Sequence, residues 1–203
     1  MDATELLGCQ NLGPLSLPTR IVTDRALVAR FEQSGGGADC EADRGDSRLT
    51  GVYFRDAKGR VREEYFQEGP DREPFLVKIY DPVADTALVL NPKERTGIRI
   101  SLTRSGEGVG GGFLFPFARI DRVGEEEILG HHCSRYECTG GQGVEPHGRV
   151  WVAEDLGLVL REEVFCQNGF RWWSITTFDL AEPREEEFVA PEGFLVTDIG
   201  RPG

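Results

Sequence analysis

Apolar and polar positions alternate in short runs along most of this chain, and each run stops at glycine, proline or a small polar residue. That period of two is the mark of a half-buried strand. Leu49-Thr-Gly-Val-Tyr-Phe-Arg55 and Arg60-Val-Arg-Glu-Glu-Tyr-Phe66 flank Asp56-Ala-Lys-Gly59, a turn with glycine placed for positive φ. Residues 75–80, 87–90 and 96–103 continue the pattern, joined by Asp81-Pro-Val-Ala-Asp85 and Asn91-Pro-Lys-Glu94. In both connectors proline sets φ after a polar residue able to close the turn with its own side chain. Residues 131–138, 149–154, 158–165 and 171–178 read as later strands, the last three separated by Asp155-Leu-Gly157 and Gln167-Asn-Gly169. An Asn-Gly pair between β-rich runs is a strong hairpin signal, because both central residues of a type I′ turn need positive φ. A first long strand is expected over residues 19–33. Helix is expected only over residues 182–188, where Pro183 and three glutamates suit a helix N-terminus, and Pro191 ends it.

The expected class is therefore all-β, an antiparallel sheet of about nine to eleven strands with one or two short helices. Residues 1–203 form one domain, since all-β chains of this length routinely stay undivided. Residues 1–18 read as an irregular lead-in, 34–48 and 105–112 as glycine-rich flexible loops, and 196–203 as a tail. The second loop is not a phosphate-binding loop, because no Gly-Lys-Ser/Thr follows it.

Charge narrows the partners. With 35 acidic against 23 basic residues the net charge is −12, which repels phosphate backbones and anionic membranes. No nucleic acid and no integral membrane association are expected, and no run approaches the ~18 apolar residues of a span. The N-terminal residues lack the basic region and long apolar core of a signal peptide. The expected location is the cytoplasm, or the periplasm if a leader has been removed. Five cysteines without CxxC spacing do not read as a disulfide framework.

The order of motifs carries a resemblance. Tyr53-Phe-Arg-Asp-Ala-Lys-Gly-Arg60, Asp81-Pro82, Ile128-Leu-Gly130, Trp151, Leu156-Gly-Leu-Val-Leu-Arg161 and Phe188-Val-Ala-Pro-Glu-Gly-Phe194 follow one another over about residues 50–195. In this order the chain resembles the LolA/LolB-like superfamily of lipoprotein carriers, which also includes prodeoxyviolacein synthase and uncharacterised bacterial members. The resemblance implies a strongly curved, open half-barrel whose concave face is plugged by short helices or loops.

Two functions follow as expectations. The first is a soluble binding protein with an apolar cavity for a hydrophobic or aromatic small molecule or lipid-like ligand. Its walls would be Phe113, Phe115, Phe117, Trp151, Trp172 and Trp173, gated by loop 105–112, although plain core packing competes for all six. Trp172 and Trp173, as strand neighbours, must face opposite ways. The second is a cofactor-independent enzyme of secondary metabolism, using the same cavity with a proton-transfer group drawn from His131, His132, Glu162 and Arg161. His131, Cys133 and His147 are metal-capable, but they read as ordinary strand residues. No metal and no cofactor are expected, and a homodimer is compatible with either function.

Overall fold

The computed structural model describes residues 25–34, 48–67, 73–101, 117–140, 147–166 and 169–199. These form strands β1 (Leu27–Ser34), β2 (Arg48–Arg55), β3 (Val61–Phe66), β4 (Leu76–Asp81), β5 (Thr86–Asn91) and β6 (Thr96–Ser101). Then follow β7 (Phe117–Ile128), β8 (His131–Gly140), β9 (His147–Ala153), β10 (Leu158–Cys166), β11 (Gly169–Asp179) and β12 (Leu195–Asp198). A single 3-10 turn, Glu185–Phe188, precedes β12. All twelve strands belong to one open, curved sheet in the order β12-β6-β5-β4-β3-β2-β1-β11-β10-β9-β8-β7. Every pairing is antiparallel except β12 with β6. The sheet does not close into a barrel, so β7 and β12 are its edges.

The connectors behave as their side chains dictate. Asp56, 1% exposed, accepts from the Lys58 and Arg60 amides (3.0 and 2.8 Å) and from Arg60 Nε (2.7 Å), while Gly59 takes φ 82°. Asp81 Oδ1 accepts from the Val83 and Ala84 amides, each at 2.9 Å, and Asn91 Oδ1 accepts from the Glu94 amide at 3.2 Å. Between β9 and β10 the chain turns through Gly157 at φ 55°, burying Leu156 completely. Arg55 locks this end of the sheet. Its guanidinium donates to the carbonyls of Arg25 (3.0 Å), Gly157 (2.9 Å) and Leu156 (2.6 Å), tying β2 to a turn about a hundred residues later.

Side chains alternate across the sheet and feed different clusters. Leu27, Ala29 and Phe31 of β1, Tyr53 of β2, Val61 and Tyr65 of β3 and Trp173 and Ile175 of β11 belong to the largest. The opposite face of β4 and β5 supplies Val77, Ile79, Leu88 and Leu90, which Phe188, Ala190, Phe194 and Val196 cover from the C-terminal segment. A smaller cluster joins Tyr136, Cys138, Val150, Val152 and Val164.

Several expectations need correcting. Strand β1 occupies residues 27–34, and residues 19–24 lie outside the described part. Gly169 pairs with Cys166 and so belongs to β11 rather than to the expected turn, while residues 167 and 168 lie outside the described residues. Within residues 182–188 the short helix is a single 3-10 turn, Glu185–Phe188, with Glu185 bonded by Lys58 and Arg60 and with Glu186 and Glu187 paired to Arg184. The acidic run Glu125–Glu127 lies inside β7, a twelve-residue strand with two bulges that is not among the expected strands. As an edge strand it stays charged, which discourages pairing with another chain. Residues 195–198, at the start of the expected tail, form β12. Ser34 and Arg48, the ends of the first expected loop, belong to β1 and β2; the rest of that loop and all of 105–112 lie outside the described residues.

Candidate functional site

The C-terminal segment meets the sheet through a set of opposite charges. Arg60 bonds Glu185 (2.8 Å) and Asp56 (2.7 Å), and its guanidinium lies 4.7 Å from the Phe188 ring centre. Lys58 adds a 3.3 Å contact to Glu185. Bonding to Glu185 and Asp56 pushes the Arg60 guanidinium further up, while the Arg60 and Lys58 bonds hold the Glu185 carboxyl below its usual range. Arg62 clasps Glu64 (2.6 Å) and donates to the Glu187 carbonyl (2.9 Å). Arg95, at φ 51° in the β5–β6 turn, donates to the Glu192 carbonyl (3.2 Å), and its own carbonyl accepts from the Leu195 amide (2.9 Å). A Cβ on Gly193 would stand 3.1 Å from Arg95 Nη2, so the guanidinium lies close along the 192–193 turn.

Between these contacts the segment stands off the sheet and leaves a cavity of about 640 Å³. Its floor is apolar: Val77, Leu90 and Phe194, flanked by Pro74, Pro92 and Pro191. Its charged groups are Arg62, Glu64, Glu73, Lys93 and Arg95. Arg62 and Glu64 satisfy each other. Among the described residues no ion pair engages Lys93, Arg95 or Glu73.

The residues singled out from the sequence are placed differently. Phe113 and Phe115 lie outside the described residues, and Phe117 opens the edge strand β7. Trp151 is 4% exposed; its indole N–H donates to Glu126 (2.7 Å) and the Arg161 guanidinium lies 4.8 Å from its ring centre. Trp173 is 2% exposed and packs on Phe31, ring centres 5.5 Å apart. Trp172, half-buried, has the Arg48 guanidinium over it at 5.5 Å. His131 pairs with Asp155 (3.1 Å) beside the Phe178 ring, while His132 pairs with Glu125 (3.0 Å). Arg161 is held by Glu163, and Glu162 is buried near Cys138. Neighbouring strand residues point to opposite faces, so His131 is separated from His132 and Arg161 from Glu162. The four do not converge on one point.

Cysteine chemistry is likewise subdued. Cys133 and Cys138 feed different clusters, in keeping with the alternation along β8, and both are fully buried. Burial pushes the Cys133 thiol up to about 11 and the Cys138 thiol up to about 12. Neither is an activated nucleophile. His147 stacks on Phe165 (4.8 Å) rather than on the His131 side, and among the described residues no three metal-capable side chains cluster.

The lining of the cavity is only partly visible in the sequence. Pro191 and Phe194 fall in a motif that carries the resemblance, whereas Lys93 and Arg95 sit in what reads as a plain turn. Residues 47–161, more than half of the chain and both sides of the β5–β6 turn, match the family described as "Domain of unknown function (DUF4412)". The chain belongs to this family. No curated protein matches it. An uncharacterised conserved protein from Thermus thermophilus superposes with a TM-score of 0.57 at 10% identity, covering 86% of this chain and 91% of its own. In the Pseudomonas aeruginosa MucA/MucB complex, one chain superposes with a TM-score of 0.51 at 16% identity. That match covers 83% of this chain and 57% of the other, so this chain spans little more than half of that protein. LolA superfamily protein NE2245 from Nitrosomonas europaea aligns over 82% of this chain and 90% of its own, at 10% identity and a TM-score of 0.39. The fold is thus shared with the Thermus protein and with the matched chain of the MucA/MucB complex. No helix among the described residues is long and apolar enough to cross a membrane.

Proposed function

We propose that this protein binds a hydrophobic or lipid-like small molecule, and that the cavity between β3, β4, β5 and the 191–194 turn is where it does so. One observation carries the reading: a space of about 640 Å³ in which Phe194, Pro74 and Pro191 sit beside charged side chains, over the buried Val77 and Leu90. Ligand sites of that kind occupy roughly 300–1,000 Å³ and combine an apolar lining with a few polar groups. Each ~100 Å² of apolar ligand surface removed from water contributes about 2.5 kcal/mol before the costs of association. The aromatic wall expected from the sequence is a weaker candidate. A ligand reaching Trp173 would have to displace Phe31, and one reaching Trp151 would have to displace Arg161 or Glu126.

Native mass spectrometry and organic extraction of the purified protein, followed by titration with the apolar probe decanol, test this function. A co-purified apolar molecule or saturable decanol binding is expected, and Phe194→Glu should abolish it while the β-sheet circular dichroism signal stays intact. If the wild-type protein yields no extractable molecule and takes up no decanol, the reading is overturned.

A further inference from the structure

We infer that the ligand of this cavity carries a single anionic head group of the carboxylate kind, held at the mouth by Lys93 and Arg95; the inference rests on the cavity being the binding site. The chain as a whole is strongly acidic, at −12, yet the cavity lining departs from that balance. Of its five charged residues, Arg62 and Glu64 pair with each other at 2.6 Å, and Arg62 is further occupied by the Glu187 carbonyl at 2.9 Å. That leaves Lys93 and Arg95 against Glu73, an excess of one positive charge bordering an apolar floor. Neither cation is in an ion pair among the described residues, whereas nearby Lys58, Arg60 and Arg62 all are.

Geometry adds to charge. Lys93 and Arg95 are two apart in a four-residue turn closed by the Arg95 amide on the Pro92 carbonyl (3.1 Å). Arg95 is fixed from both sides, its Nη2 on the Glu192 carbonyl at 3.2 Å and its own carbonyl under the Leu195 amide. A guanidinium anchored through one nitrogen keeps other N–H donors for a carboxylate, which it meets in a planar fork. An ammonium two residues away supplies the point charge. An apolar tail would then lie against the partly exposed Phe194 ring and the flanking Pro74 and Pro191, above the buried Val77 and Leu90. Glu73 is the counterweight: as a carboxylate at the same mouth it disfavours dianionic heads.

The experiment compares decanoate, decanol and decyltrimethylammonium by calorimetry on the intact chain, with amide NMR shifts to locate binding. Decanoate should bind at least ten times more tightly than decanol at low salt, and decyltrimethylammonium more weakly than either. Arg95 and Phe194 should show the shifts. Lys93→Gln should cost decanoate several-fold with a far smaller change for decanol, Arg95→Gln should cost decanoate at least as much, and the decanoate preference should shrink with added salt. Lys93 is an exposed turn residue, so its variant keeps the test sound should Arg95→Gln fail to fold. Equal affinity for decanoate and decanol, or loss of both ligands together in a folded Lys93→Gln, overturns the head-group inference and leaves the apolar cavity standing. Binding of none of the three overturns both.

Discussion

At the scale of single residues, the buried polar groups at the Arg55–Asp56 end of the sheet are held in place by being paired, whereas Thr50 Oγ1 and Arg135 Nε are buried without a hydrogen bond among the described residues. Asp56 satisfies three donors and Arg55 three carbonyls, at sites where either left alone would cost several kcal/mol. Glu63, 5% exposed, accepts from the Tyr65 hydroxyl at 2.8 Å. The two described thiols are the opposite case, because burial disfavours both thiolates and at Cys133 outweighs the one stabilising contact, a backbone hydrogen bond from Ile128. With Cys133 at about 11, roughly one molecule in a thousand carries the nucleophilic form near pH 8. Iodoacetamide labelling followed by peptide mapping should therefore leave Cys133 and Cys138 unmodified in the native protein and modify both in denaturant. Labelling of Cys133 under native conditions would mean that the β8–β9 face opens.

At the scale of elements, close approach between strands leaves little slack. A Cβ added at Gly51 would lie 2.0 Å from Phe31 Cζ and 2.6 Å from the Glu64 carbonyl oxygen. Phe31 cannot yield, since it packs on Tyr65 at 5.3 Å and on Trp173 at 5.5 Å. Gly51→Ala should cost about 3 kcal/mol or more, measured as a lower midpoint in urea. The 3-10 turn gives a pH dependence. Glu185 has a lowered carboxyl pKa because Arg60, then Lys58, bond it. A carboxylate with a depressed folded-state pKa stabilises above its unfolded pKa, and that contribution disappears as pH falls through the folded value. Acid should thus loosen the 185–194 segment, and Glu185→Gln should flatten this part of the stability profile, read from urea midpoints at neutral and acid pH.

At the scale of the whole molecule, the C-terminal segment decides whether the far half of the sheet has an inside. Phe188, Ala190, Phe194 and Val196 cover Val77, Ile79, Leu88 and Leu90, and β12 pairs with β6 along Leu195–Asp198. Each fully buried side chain of that size contributes about 1.5–3 kcal/mol, while a domain keeps only about 5–15 in total. A chain ending at residue 184 should consequently lose its cooperative melt and run as soluble oligomers on size exclusion. A truncated monomer melting as before would show that the cluster adds little.

The hairpins, the connectors and the order of most strands follow from local chemistry, so they are readable in the amino-acid sequence itself. Period two, a glycine at positive φ and an Asp or Asn ahead of proline act within a few residues. The single curved sheet is legible for the same reason, as an ordered series of such local signals. β7 escapes a sequence reading because an exposed edge strand is charged and looks like a loop, and β12 because four residues hold a strand only when a distant partner offers its backbone. The cavity needs the tertiary structure altogether. Val77 and Leu90 are ordinary strand residues, Lys93 and Arg95 ordinary turn residues, and Phe194 the end of a motif. Only the folding of residues 185–199 back over β3–β6, driven by burial and by the Arg60–Glu185 pairing, brings them around one space.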